Sequence, residues 1–187
     1  MLLIFVGPPG AGKGTQAQML RDRKGFIHIN MGDILRNIGS KTGELADSIR
    51  PIMQSGQLVP DDLTLQLIKQ ELIPFTASCN LILDGFPRTV DQANGLLEIL
   101  NSMRLTDYKL INIDADRDNV TARLIGRGRS DDTEEVIKTR LSIYDNTTFP
   151  VVKLFSDMDK AIYVDSSGDK ESTYENLLKA MAQYEEV

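Results

Sequence analysis

Five short apolar runs punctuate the chain: Leu2-Leu3-Ile4-Phe5-Val6, Phe26-Ile27-His28-Ile29, Leu81-Ile82-Leu83-Asp84, Leu110-Ile111-Asn112-Ile113-Asp114 and Ala161-Ile162-Tyr163-Val164. Each is of strand length, and a nearly unbroken apolar run of that length reads as a strand buried on both faces. The segments between them read as helices. The pattern predicts helices over Gln16 to Arg21, from Ile34 after a turn at Asn30-Met31-Gly32-Asp33, and over Gly43 to Gln54, where Pro51 removes a backbone donor and should kink or shorten the helix. Pro60-Asp61-Asp62 opens a further helix through Ile73, with a proline and acids where a helix start favours them. Helices follow from Thr89 to about Asn101, from Asp116 to Gly126, from Thr133 to about Leu154 with a bend near Pro150, and from Tyr174 to Tyr184.

Strands alternating with helices predict an α/β fold: a five-stranded parallel sheet with helices on both faces. At 187 residues the chain is one domain with a substantial core. Asn30 to Val59 interrupts the alternation as a small helical insertion, and Gly39, Gly43 and Gly56 suit a lobe that moves.

Composition narrows the partners. The net charge of −6 and a pI near 4.8 leave no polybasic surface for nucleic acid or anionic lipid, so an anionic ligand must be met by local charge. The single cysteine, Cys79, excludes an intrachain disulfide and a multi-cysteine zinc site, which suits a cytoplasmic protein, and is expected to be inert core packing. The first apolar run is too short for a signal peptide or a membrane span. His28 is the only histidine, has no metal-ligand partner at a recognisable spacing, and is expected to be incidental.

The chemistry starts at Gly7-Pro8-Pro9-Gly10-Ala11-Gly12-Lys13-Gly14-Thr15, directly after the first strand and before a helix. Strand, glycine loop and helix form the geometry of a phosphate site: glycines let consecutive N–H groups point inward, the helix N-terminus adds partial positive charge, and Lys13 supplies a full one. The usual phosphate loop places Ser or Thr directly after the lysine to bind magnesium; here Gly14 stands there and Thr15 follows. That argues against a GTPase-like switch and is similar to the nucleoside monophosphate kinases. Arginines are the other unusual feature of an acidic chain. Arg88 follows the strand-end carboxylate Asp84, Arg123 and Arg127 are four apart on one helix face, and Arg36, Arg129 and Arg140 complete the set. Guanidinium forks match phosphate oxygens in pairs, so the set suits two polyphosphate chains facing each other.

Four motifs carry a resemblance over nearly the whole chain: the loop at Gly7 to Thr15; Gly32-Asp33-Ile34-Leu35-Arg36; Leu83-Asp84-Gly85-Phe86-Pro87-Arg88-Thr89 with Gln92; and Arg123-Leu124-Ile125-Gly126-Arg127 followed by Arg129-Ser130-Asp131-Asp132 and Arg140. In this order they resemble the adenylate kinases, in their short-lid form. The resemblance implies a P-loop NTPase-type core at 1–29, 60–125 and 135–187, an NMP-binding insertion at 30–59 and a very short lid at about 126–134. It implies reversible transfer of the γ-phosphoryl of magnesium ATP to AMP, giving two ADP, by a monomer. Gly10, Ala11, Gly12, Lys13, Gly14 and Thr15 would cradle the ATP phosphates, joined by Arg123, Arg127 and the Gly168 backbone. Met31, Arg36, Gln57, Leu58, Val59, Gly85, Phe86, Pro87, Arg88 and Gln92 would form the AMP pocket, with Gln92 reading the adenine edge. Arg129 and Arg140 would bridge donor and acceptor, and Lys13, Arg88, Arg123, Arg129 and Arg140 would be catalytic. Asp84, and Asp33 as a second candidate, would hold Mg2+ through its water shell. The lid lacks the long insertion that carries metal-binding cysteines in some relatives, hence no zinc.

The acceptor phosphate has a second pKa of about 6 and needs no general base, so positioning and charge carry the reaction. One departure bears on selectivity: the family usually has threonine where Met31 stands, which leaves Gln92 as the main base reader. The nearest rival is a UMP/CMP kinase, in which asparagine typically replaces the glutamine; a rival of another class is an ATP-binding regulatory module, which would not need arginines for an acceptor.

Overall fold

The computed structural model describes residues 1–127 and 133–185, with the side chains at 117–119, 127 and 183–185 left undescribed. In chain order the elements are β1 (Leu2–Val6), α1 (Lys13–Lys24), β2 (Ile27–Asn30), α2 (Met31–Gly39), α3 (Glu44–Gln54), α4 (Asp61–Leu72), β3 (Leu81–Asp84), α5 (Val90–Ser102), β4 (Tyr108–Asp114), α6 (Arg117–Arg127), α7 (Glu134–Ile143), a π-helical turn (Tyr144–Thr148), α8 (Phe149–Asp157), β5 (Ala161–Asp165) and α9 (Lys170–Glu185).

All five strands pair in parallel, in the order β2-β3-β1-β4-β5, so β1 is central and the chain, after laying β2 and β3 on one side of it, crosses over to lay β4 and β5 on the other. Such a reversal of strand order leaves a crevice at the C-terminal strand ends, where ligands bind in open α/β sheets. Alternation along β1 builds the two cores. Leu2, Ile4 and Val6 point into one, with Leu35, Ile49, Ile68, Leu96 and Phe155 from α2, α3, α4, α5 and α8. Leu3 and Phe5 point into the other, with Leu20, Val120, Ile137 and Leu177 from α1, α6, α7 and α9. The expected five-stranded parallel sheet covered on both faces is therefore present. Among the described residues no helix is long and apolar enough to cross a membrane.

Boundaries differ from expectation in four instructive places. First, α1 begins at Lys13 rather than Gln16, because Gly12 in the left-handed region turns the chain directly into the helix. Second, Asn30 to Asp33 is the first turn of α2 rather than a turn before it: the Asn30 side chain accepts from the Asp33 N–H (3.0 Å) as an N-cap. Third, Pro51 does not shorten α3, which runs through it to Gln54; the proline sits three residues from the end, where one missing donor affects little of the helix. Fourth, the single long helix expected after Thr133 is three pieces, with the π turn between α7 and α8 and Pro150 in the first turn of α8, where its missing N–H is harmless. The centre of the expected lid, 128–132, lies outside the described residues, and Arg129 with it.

Candidate active site

The loop after β1 is shaped by two positions that only glycine fits. At Gly7 (φ 148°) a Cβ would lie 2.1 Å from the Ile113 carbonyl oxygen, and at Gly10 (φ 85°) one would lie 2.9 Å from the Val120 carbonyl oxygen. The Ala11 N–H donates to the Pro8 carbonyl (3.1 Å), and the Ser166 hydroxyl beyond β5 donates to the Ala11 carbonyl (2.6 Å). α1 then starts with no side-chain cap and no acid in its first turn, so its leading amides and positive dipole end meet the crevice without a carboxylate from their own turn. Lys13 Nζ donates to the Gly7 and Pro8 carbonyls (2.7 and 2.8 Å), which folds the ammonium back over the loop.

Opposite the loop, the segment after β3 carries Arg88. Its main chain is held on both sides: the N–H donates to Gln92 Oε1 (2.7 Å), and the carbonyl accepts from the Thr148 hydroxyl of the π turn (3.0 Å). The side-chain Nε donates to the Gly85 carbonyl (2.9 Å). Burial pushes the Arg88 guanidinium below its usual pKa, Asp84 opposes that shift, and Arg140 and Arg36 add repulsion to it. Three guanidinium groups thus converge on one end of the crevice, an arrangement that a bound anion would relieve. Arg36 is paired with Asp33, which draws the second metal candidate toward an arginine.

Asp84, at the end of β3, is buried and faces the phosphate loop: a Cβ on Gly14 would come within 3.6 Å of its Oδ2. That same oxygen accepts from Asn30 Nδ2 (2.8 Å), and His28 Nε2 lies 3.4 Å away. His28, which has no metal-ligand partner at a recognisable sequence spacing, is brought beside Asp84 by the β2–β3 pairing. Among the described residues no group of three or more His, Cys, Asp or Glu side chains could hold a metal ion. One inward carboxylate beside a phosphate loop fits magnesium that keeps most of its waters and arrives with phosphates; it does not fit a protein-made metal cage.

At the other end, Arg123 Nη1 donates to the Ser166 hydroxyl (3.3 Å), and Nη2 to the Ser166 and Gly168 carbonyls (3.1 and 3.2 Å). Arg123 and Gly168 are so brought together by the loop after β5. A single crevice of about 1320 Å³ joins the two ends. Its lining takes in the sequence-predicted residues that the structure describes, with the exceptions of Ala11, which is fully buried behind the loop, and Arg127, whose side chain is undescribed.

The comparisons agree with this geometry. The family model described as "Adenylate kinase" matches residues 5–160. The chain belongs to the adenylate kinase family. It is 43% identical over 175 residues to "Adenylate kinase 1" of Nostoc sp., covering 94% of this chain and 95% of that one. It is 39% identical over 184 residues to "Adenylate kinase" of Corynebacterium glutamicum, covering 98% and 100%, and 37% identical over 183 residues to that of Leptospira biflexa, covering 96% and 98%.

Met31 is 3% exposed and packs with the core at the wall of the crevice, beside Gly85. A thioether suits such an irregular gap. Phe86 is likewise a core side chain, 1% exposed, so it offers the crevice little more than an edge and its backbone. Gln92 is where the structure adds most. Its amide accepts from Arg88 and donates to Asp61 Oδ1 (2.7 Å), while Thr89, the N-cap of α5, donates to Asp61 Oδ2 (2.7 Å). Asp61, Thr148, Asn30 and Ser166 were not singled out by sequence as site residues. Each reads locally as a cap, a helix-start acid or a small polar residue, and only long-range partners reveal it.

Proposed function

We propose that the chain catalyses the reversible transfer of the γ-phosphoryl group of MgATP to AMP, giving two ADP. The observation that carries this reading is the convergence of Arg36, Arg88 and Arg140 on the crevice that also holds the Lys13 loop. A module that only bound or hydrolysed ATP would need the loop and not a second cationic end. The crevice is also larger than the roughly 300–1,000 Å³ of an ordinary small-molecule pocket, which favours two nucleotides placed end to end.

In this reading the Gly10–Thr15 amides cradle the donor phosphates, and Arg123, beside Ser166 and Gly168, borders the donor nucleoside. Arg127 extends that side. Lys13 leaves its two loop carbonyls and follows the transferred group. Arg36 and Arg88 hold the acceptor phosphate; Arg140 and Arg129 bridge it to the donor. Gln57, Leu58, Val59, Met31, Gly85, Phe86 and Pro87 line the acceptor pocket, and Gln92 reads the adenine edge. The attacking phosphate oxygen is already mostly deprotonated at neutral pH, so these side chains act by aligning two phosphates and offsetting charge as it redistributes in the transition state. Asp84 would hold magnesium through its water shell, and the ion would supply further charge neutralisation for the transferring phosphoryl group. Closure of the 30–59 insertion over the crevice would exclude water as a competing acceptor. The acidic charge and lone cysteine fit a cytoplasmic monomer that binds neither nucleic acid nor membranes.

The test is an acceptor panel. With ATP and magnesium, AMP should give ADP fastest among AMP, CMP, UMP and GMP. A preference of more than tenfold for CMP or UMP would replace this reading with a pyrimidine nucleotide kinase, and ATP hydrolysis without transfer would replace it with a regulatory ATPase.

A further inference from the structure

The Gln92 amide has two donors and two acceptor lone pairs, and the structure assigns half of them inside the protein. One lone pair of Oε1 takes the Arg88 N–H and one hydrogen of Nε2 goes to Asp61 Oδ1. What remains for the crevice, which Gln92 lines at 2% exposure, is one donor beside one acceptor. That pair is the complement of an adenine edge, where a ring nitrogen accepts beside an amino group that donates. The order of the pair matters, and Gln92 cannot set it alone, since an amide rotated by half a turn fills the same space. Asp61 sets it. A carboxylate only accepts and the Arg88 N–H only donates, so the rotated amide would face an oxygen with an oxygen and an N–H with an NH2.

Asp61 is itself fixed. It opens α4, and its second oxygen takes the Thr89 hydroxyl, whose oxygen in turn accepts the Gln92 N–H (3.0 Å) as the cap of α5. The carboxylate therefore ties the end of the 30–59 insertion, through Leu58 and Val59 just before it, to the helix that carries the base reader and to the peptide that carries the phosphate arginine. We propose that Asp61 is a positioning residue for acceptor recognition: it fixes the polarity of the Gln92 amide and couples base reading to the placement of Arg88. This rests on the reading of the crevice as an AMP site.

The experiment uses calorimetric binding of AMP and of a non-hydrolysable ATP analogue, with KM and kcat for AMP and CMP, in the wild type, Asp61→Ala, Asp61→Asn, Gln92→Ala and the Asp61→Ala/Gln92→Ala double variant. Leaving buried Gln92 without its acceptor should raise Kd and KM for AMP about tenfold. The AMP-to-CMP preference should fall by a similar factor, while affinity for the ATP analogue changes less than twofold. Asp61→Asn keeps an acceptor oxygen toward Gln92 and an amide that the Thr89 oxygen can accept from, so it should stay within about threefold of the wild type. The double variant should bind AMP no worse than Gln92→Ala, because one interaction cannot be lost twice. Should Asp61→Ala not fold, Asp61→Ser carries the same expectation. Unchanged AMP affinity and selectivity, or equal losses for AMP and the ATP analogue, or a full additional loss in the double variant, would overturn the proposal. A wild type that does not prefer AMP would instead overturn the reading of the site, so the two failures are distinguishable.

Discussion

Replacing Arg88 by methionine should move folding and binding in opposite directions. Methionine keeps much of the length and apolar stem of arginine and removes its charge and donors. On the folding side, the variant loses the Nε bond to the Gly85 carbonyl and the attraction of Asp84, and it escapes guanidinium burial and repulsion from Arg140 and Arg36. The depressed pKa means that the fold penalises the charged guanidinium at every pH below its unfolded value, which includes all physiological pH, and relief of that penalty offsets the lost Gly85 bond. The ligand-free variant should therefore melt at or slightly above the wild-type temperature. On the binding side, a guanidinium fork on a phosphate makes two charge-assisted hydrogen bonds of about 1.5–3 kcal/mol each, so their loss should weaken AMP by roughly a hundredfold to ten-thousandfold. Thermal shift shows both at once. At AMP one hundredfold above Kd the wild type gains about 2.7 kcal/mol, or about 5–10 °C for a domain of this size; the variant at the same concentration should gain almost nothing. A ligand-free loss of more than about 2 kcal/mol would make Arg88 a structural residue. An undiminished AMP shift would show that the three arginines do not form the acceptor site.

Three further outcomes are expected. Lys13→Met should lower kcat by roughly a hundredfold, since a lost charge-stabilising donor costs about 3 kcal/mol of barrier, and single-turnover measurement of ADP formation checks it; near-normal turnover would reduce the loop to a binding turn. Gly10→Ala should abolish ATP affinity in a titration with an ATP analogue, because the added Cβ meets the Val120 carbonyl at 2.9 Å with φ already at 85°. The Asp169 carboxyl accepts from the Ser172 N–H (2.8 Å), which holds its pKa below the usual carboxylate range. Its small, solvent-screened contribution is thus present above the ordinary carboxylate pKa and lost as pH falls through the lowered folded value, and an NMR titration of Asp169 should show the acid-shifted midpoint.

The parts of the fold visible in the residues were those whose physics is local. A strand buried on both faces is an apolar run wherever it sits, so β1 and β3 were found to the residue from Leu2–Val6 and Leu81–Asp84 alone. The phosphate loop was legible because glycine, lysine and helix start follow one another in the chain. Asn30 was read as part of a turn before the helix and is its N-cap; that its other amide end reaches Asp84, 54 residues away, follows only from β2 lying beside β3. That His28 lies beside Asp84 follows from the same strand pairing. The π turn leaves no mark in a hydrophobic period, since one wider helical turn shifts the pattern by less than its ordinary scatter, yet it carries Thr148 to the Arg88 carbonyl. Pro51 shows a strong local signal overruled: Ile49 packs in the core just before it, and tertiary packing outweighs one absent donor.

The strand order has a consequence for how such a molecule can change. Most of what is proposed for the acceptor hangs on β2, β3 and the segments after them, and most for the donor's base on β4 and β5, on opposite sides of the central strand, while Arg140 and Thr148 reach the acceptor end from α7 and the turn after it. Substitutions on one flank can retune which nucleoside is taken there while the opposite flank keeps its own preference. A central spine with a differently built wing on each side lets one chemistry be handed from one acceptor to another without rebuilding the centre.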